Sequence, residues 1–384
     1  MPTATPRPRR WTTCRCPTPS SSRSRPTGRR TSSNPFAPPD AHAGTARRAR
    51  RRPSPGDQDL AATADALLLR RQRRDRSDQR ADRAFRFVFA AAGVFVLVAL
   101  VAAALSMGWG GRTALAEFGL DFLTSTEWDV GAGEFGALVP IFGTLVTAAI
   151  AMLIAVPVSF GIAVFLTEVA PPWMRTPVGV AIELLAGIPS IIYGMWGLFV
   201  LAPVLADHVY PWVSEVLGEI PLVGILFQGP PLGIGMLTAG LVLAVMVIPF
   251  IASVMREVFL TVPARLKESS YALGSTTWEV VWDIVLPYTK SAVIGGIFLG
   301  LGRALGETMA VTFVIGNAYT ISAALLEPGT SIASTIANEF AEAVDPLHRS
   351  SLLALGFVLF ALTFVVLAAA KFMLMRLERR EGLK

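Results

Sequence analysis

Six long apolar stretches run along the chain, at 85–107, 137–167, 177–204, 233–255, 291–316 and 351–375. Each supplies about the 20 apolar residues a helix needs to cross a hydrocarbon layer ~30 Å thick. No ten-residue alternation of apolar and polar positions marks a barrel, so helices are the way this backbone can satisfy itself in lipid. The pattern predicts an all-α integral membrane protein with six transmembrane helices.

The polar segments between these stretches set the orientation. Segment 108–136 carries Arg112 against Glu117, Asp121, Glu127, Asp129 and Glu134, and 205–232 has no Lys or Arg. Segment 317–350 has Arg349 against Glu327, Glu339, Glu342 and Asp345. Arg175, Arg256, Arg265, Lys267, Lys290, Lys371 and Arg376 fall in the alternate segments. Basic residues stay on the cytoplasmic side, so both termini are expected there. Trp109, Trp128, Trp173 and Trp212 sit near the predicted interfaces.

Composition fits a lipid solvent. Only 16% of residues are charged, against roughly 25% in soluble domains, and the mean hydropathy is +0.53. The net charge of +6 belongs to one end of the chain. Residues 1–86 hold 21 of the 34 Lys and Arg and 7 of the 28 Asp and Glu, a net of +14, and the remainder carries −8. Residues 1–58 are rich in Pro, Ser, Thr and Arg without apolar period, and are expected to be a disordered basic arm or the product of an over-extended start. A charged lead-in follows at 59–84, then the first span at 85–107, an outer loop at 108–136, a core at 137–375 and a tail at 376–384. The arm lacks a folded nucleic-acid motif, so no nucleic-acid partner is expected. Cys14 and Cys16 both lie in it, leaving no disulfide framework for the body and no metal set.

Two local patterns stand out. Gly187 and Pro189 interrupt the third stretch; Pro removes an N–H and clashes one turn back. Such a break is either a packing kink or backbone lining a pathway, since lipid does not tolerate it uncovered. The segment 256–290 reads as a helix–turn–helix elbow. Thr261 and Pro263 open its first helix, Arg265 to Leu273 continue it, and Gly274 suits a left-handed stop. Thr276 with Glu279 matches a capping box. Trp278 and Trp282 share a face, and Pro287 is expected to close the second helix.

Within this elbow, Glu268-Ser269-Ser270, then Gly274, then Ile284-Val285-Leu286-Pro287 resembles the signature loop of ABC importer permeases: Glu-Ala-Ala, three residues, Gly, nine residues, Ile-x-Leu-Pro. Two serines replace the alanines. The resemblance implies a type I importer permease fold, with Glu268, Gly274, Ile284, Leu286 and Pro287 coupling the chain to an ATPase. The chain has no Gly-x-x-x-x-Gly-Lys-Ser/Thr loop of its own. It is therefore a transport subunit rather than an enzyme, has no cofactor of its own, and leaves ATP and Mg to the partner ATPase.

Charges inside the fifth stretch add a candidate cargo path. Arg303 lies about 18 Å of helical rise from the predicted start of the stretch. A lone Arg at mid-bilayer costs roughly 2.5–3.5 kcal/mol on insertion scales. Glu307, four residues on, shares its face if the helix continues. The pair is either a structural ion pair or an anion pathway, for which Arg supplies planar, multi-donor recognition. Gly296, Gly300, Gly302 and Gly306 read first as close-packing positions. Glu183 is either a buried carboxylate or a headgroup-level one.

The text 302–313 around Arg303, with 188–197 and 337–343, is similar to the phosphate-importing branch of the same family over about 85–384. That resemblance implies phosphate as cargo and makes Arg303 and Glu307 the substrate-pathway residues. It also implies a PstA-type second permease, a PstB-type ATPase dimer and a PstS-type phosphate-binding protein, assembled in the bilayer of a bacterial inner membrane. A permease for sulfate or molybdate, and an ATP-independent transporter or channel, are the alternatives.

Overall fold

The structure is a computed structural model and describes residues 55–218, 220 and 224–380. Most of the arm expected at 1–58, and the last four residues of the tail, lie outside those residues. The chain divides into two units, 1–82 and 83–384. The described part of the first unit belongs to the helix Pro55–Gly110.

Six helices among the described residues are long and apolar enough to cross a membrane: Asp82–Gly110, Leu138–Val169, Ser190–Val216, Met236–Leu260, Thr277–Leu305 and Pro346–Arg376. The expected all-α membrane fold and span number hold. The fourth span is the axis of the bundle: 61% of its most apolar window is buried, against 28% or less for the others. Glycines let neighbours approach it. A Cβ on Gly240 would come within 2.6 Å of Ile150 in the second span, and one on Gly300 within 2.5 Å of Ile251. Gly296 meets Val254 in the same way, so Gly296 and Gly300 serve close packing, whereas a Cβ on Gly302 or Gly306 would meet only ordinary contacts at 3.4 Å or more.

The third span begins later than the hydropathy predicts. Residues Pro172–Ala186 form their own helix, ending at Gly187, and the next helix starts at Ser190. Pro189 is extended, with φ −56° and ψ 136°, immediately ahead of that helix, where a missing N–H leaves no helical acceptor unused. The break at Gly187 and Pro189 is thus real, but it is a junction between helices rather than a kink inside a span. The Tyr193 hydroxyl donates to the Leu185 carbonyl at 2.9 Å across it, a second donor on a helix-end carbonyl that also accepts the Ile188 N–H at 3.2 Å. Segment 205–232, expected as a loop, carries the helix on to Leu217.

Among the described residues, four helical stretches are π-wound: Phe165–Val169, Gly197–Leu201, Leu205–Val209 and Val281–Val285. A proline stands two residues beyond each, at Pro171, Pro203, Pro211 and Pro287. In each case the residue before the proline donates five residues back: Ala170 to Phe165, Ala202 to Gly197, Tyr210 to Leu205, and Leu286 to Val281. The wider turn moves a carbonyl out of the way of the proline ring, whose clash would otherwise break the helix. Pro287 therefore does not close the elbow; its helix runs on from Thr277 to Leu305.

The fifth span ends at Leu305, short of its predicted limit. Gly306 caps it at φ −94°, ψ 6°, and a four-residue helix, Met309–Thr312, follows. The chain then folds back over the fourth span. Carbonyls of Val314, Glu327 and Leu325 accept from the N–H groups of Gly235, Met236 and Leu237, the donors that a helix start leaves unpaired. The loop also crosses the second span at Gly143, where a Cβ would stand 1.9 Å from the Thr330 carbonyl oxygen.

Candidate functional site

The break after the fifth span places the two charges singled out by the sequence. Arg303 is in the last turn of the helix Leu286–Leu305, not at its middle. Glu307 lies beyond the helix end, so the shared face that a continuous helix would give is lost. Among the described residues no ion pair joins the two. Glu307 instead accepts the Ala310 N–H at 3.3 Å, holding the start of the helix Met309–Thr312, where a carboxylate is favoured by the exposed N–H groups. Arg303 sits with its guanidinium carbon 5.7 Å from the centre of the Phe250 ring, and its buried Nε has no hydrogen-bond partner. Phe250 was not apparent from the sequence, because it comes from the fourth span.

Around this point the backbone is tightly fitted. A Cβ on Gly194 in the third span would come within 2.9 Å of Phe313 and 3.0 Å of Ala310. A Cβ on Gly306 would meet only the Gly302 carbonyl, at 3.5 Å. The guanidinium is thus a cation with an unused donor, beside non-helical backbone at Gly306, Glu307 and Thr308 that is exposed or half-buried in this chain. Such an arrangement is fitted to recognise an anion.

At the opposite end of the bundle, the elbow follows the local rules of its sequence. Its first helix is Ala264–Ala272, with Pro263 at the cap position. Thr261 caps nothing here: its hydroxyl donates back to the Val258 carbonyl at 2.6 Å. Gly274 has φ +91°, and Ser275 N–H reaches back to the Ser270 carbonyl at 3.2 Å, the six-to-one closure of a glycine-terminated helix. Thr276 and Glu279 form the expected reciprocal capping box. Trp278 and Trp282 meet at 5.4 Å, and Trp282 continues through Phe160 to the fully buried Phe259. Of the residues matched to the family signature, Glu268, Gly274 and Pro287 are exposed, and Ile284 and Leu286 are half-buried. Glu183 is half-exposed and pairs with Arg256 at 3.2 Å, so it is not a buried carboxylate.

On the face opposite the elbow, Glu339 accepts from Trp128 Nε1 at 2.9 Å, from the Tyr319 hydroxyl, and meets His348 Nε2 at 2.9 Å. A recess of about 650 Å³ opens nearby, edged by Glu127, Asp129, Glu134, Trp128 and Tyr319. The Glu134 carboxyl is pushed above its usual range by its contact with Glu127 and by that group's charge. Among the described residues no group of three or more His, Cys, Asp or Glu is placed to hold a metal ion.

A six-span helical bundle carrying this elbow has the fold of an ABC importer permease. Its backbone superimposes on a chain of a bacterial alginate ABC transporter, solved with an alginate-bound periplasmic protein, at a TM-score of 0.53. The match has 16% identity and covers 76% of this chain and 95% of that one. Residues 155–379 match the family described as binding-protein-dependent transport system inner membrane component, and the chain belongs to it. It is 68% identical over 309 residues to the phosphate transport system permease protein PstC of Xylella fastidiosa (strain 9a5c), covering 80% of this chain and 95% of that protein. It is similarly related to PstC of Pasteurella multocida (strain Pm70), at 57% over 76% and 91% of the two chains. With PstC of Mesorhizobium japonicum it shares 53% over 84% of this chain and the whole of that one.

Proposed function

We propose that this chain is the PstC-type permease of an ATP-driven importer for inorganic phosphate in a bacterial inner membrane, with both termini cytoplasmic. The relatives described as phosphate transport permeases support the cargo, and the basic residues flanking alternate spans support the orientation. A PstA-type permease completes the path, and a PstB-type ATPase dimer holding ATP and Mg docks on the elbow. Exposed Leu273 and Trp278, at 89% and 63%, give the elbow an apolar surface that fits a protein partner. A PstS-type binding protein delivers phosphate to the acidic opposite face, whose carboxylates disfavour capture of free phosphate from solution. Transport proceeds by alternating access, each state being favoured by different partner contacts.

The observation that carries the cargo path is the unpaired Nε of Arg303. A phosphate oxygen can take the donor that the protein leaves unused, and the absence of a carboxylate partner lets the guanidinium interact with a passing anion. Phe250 beneath it adds a weak attraction for the cation without competing for its N–H groups. Release stays possible because one cation does not form a trap. The test is ATP-driven phosphate uptake by the reconstituted four-component complex. Arg303→Gln is expected to insert and assemble normally while uptake falls to background. Wild-type uptake in that variant would remove Arg303 from the path.

A further inference from the structure

We propose that Lys267 and Glu168 are a positioning pair through which the elbow helix moves the membrane spans. The proposal rests on the importer reading above. The helix Ala264–Ala272 buries none of its residues, so it has no apolar seam against the bundle. What it sends inward is Lys267. Its ammonium lies 2.5 Å from Glu168 Oε1, and the two side chains are only 15% and 6% exposed. The same ammonium reaches the Phe259 carbonyl at 3.4 Å.

Those two acceptors belong to different spans. Glu168 lies in the π-wound end of the second span, and Phe259 is in the last turn of the fourth. Phe259 is fully buried, and its ring packs on Phe160 of the second span at 5.8 Å. One cation therefore clasps the elbow helix to two spans already packed on each other.

Electrostatics suits this clasp to transmitting motion. Opposite charges withdrawn from water resist separation far more than an exposed pair does. An ammonium on a four-carbon stem also keeps its contacts while the helix that bears it tilts, because its donors are not locked in a plane. An apolar seam would slip under a push; this link pivots without letting go. The neighbouring Glu268 points to the exposed side of the elbow, so adjacent residues face the partner and the bundle respectively.

The test measures ATP hydrolysed and phosphate taken up in the same vesicles, using the complete complex. The double variant Lys267→Met/Glu168→Gln removes the clasp without leaving a buried charge unpaired. It should assemble and hydrolyse ATP while phosphate moved per ATP falls by about tenfold, within the usual range of coupling between sites. Lys267→Arg, which keeps the charge, should restore most of the ratio. A wild-type ratio in the double variant, including one where uptake and hydrolysis decline together, overturns the proposal. Should the double variant not assemble, Glu168→Asp decides, because it keeps the charge and shortens the reach: a lowered ratio supports the clasp and an unchanged one overturns it. Absence of ATP-dependent uptake in the wild-type complex would instead defeat the importer reading.

Discussion

The rings of Trp128 and Tyr319 lie face to face, centroids 5.7 Å apart and planes 8° from parallel, and both side chains donate to one carboxylate, Glu339. His348 meets the same carboxylate and stacks on Phe135 at 5.3 Å. Glu339 ends the helix Ile332–Glu339, Trp128 and Phe135 pair across a short hairpin, and His348 opens the last helix. Trp128 of the hairpin is 211 residues away in sequence from Glu339, whereas Tyr319 and His348 come from 20 and 9 residues away.

Glu339→Gln should therefore loosen this whole face. The amide turns a donor toward groups that are themselves donors, and a hydrogen bond to a charged group contributes about 1.5–3 kcal/mol. A loss of that size is expected in detergent-solubilised protein, read as a lower thermal midpoint and a shift in tryptophan emission. An unchanged midpoint would mean that the face is held by its apolar packing alone.

Tyr319 gives the face a pH dependence. Burial raises its hydroxyl above the usual phenol range, and the hydrogen bond to Glu339 adds to the rise. The folded state thus keeps a proton that the unfolded chain releases near pH 10. Its contribution is whole below that value and is lost as pH rises from there through the folded-state pKa. Tyr319→Phe should flatten the alkaline limb of the stability curve; an identical alkaline limb in the variant would dissociate Tyr319 from it.

Legibility followed the range of each interaction. Gly274, and Thr276 with Glu279, obey rules that span six residues or fewer, and the structure realises them as read. Hydropathy placed the second, fourth and sixth spans within a few residues. It misplaced the third and fifth because apolar residues continue on both sides of Pro189 and beyond Gly306, so composition alone does not say where the backbone turns. The Arg303–Glu307 pair failed for the same reason, since four-residue spacing places side chains together only while the helix lasts. Phe250 near Arg303, and Trp128 on Glu339, are long-range meetings that no local pattern encodes. The π segments do carry a local signal: each ends two residues before a proline.

Two glycines should respond to alanine very differently. The Cβ on Gly143 would collide with backbone, the Thr330 oxygen at 1.9 Å, while that on Gly300 would meet the Ile251 side chain at 2.5 Å. A side chain can turn aside; a loop held by its own hydrogen bonds cannot. Gly143→Ala should cost about 1–3 kcal/mol or more, typical of forced overpacking, and Gly300→Ala less. Thermal unfolding of the two variants in one detergent gives the order, and a reversed order would show that the loop over Gly143 yields readily.

Gly274 separates strain from docking. At φ +91° a side chain is disfavoured whatever the space, yet a Cβ there would meet nothing within 4 Å in this chain. Asn and Asp are the side chains that tolerate positive φ best, and they differ by one charge. Gly274→Asn and Gly274→Asp should therefore leave the isolated permease nearly equal in stability. If the ATPase seats against this turn, Asp should weaken copurification of the ATPase more than Asn, because burying an unpaired carboxylate in an interface is costly. Equal copurification of both variants with wild-type transport would move the docking surface away from Gly274, toward exposed Leu273 and Trp278.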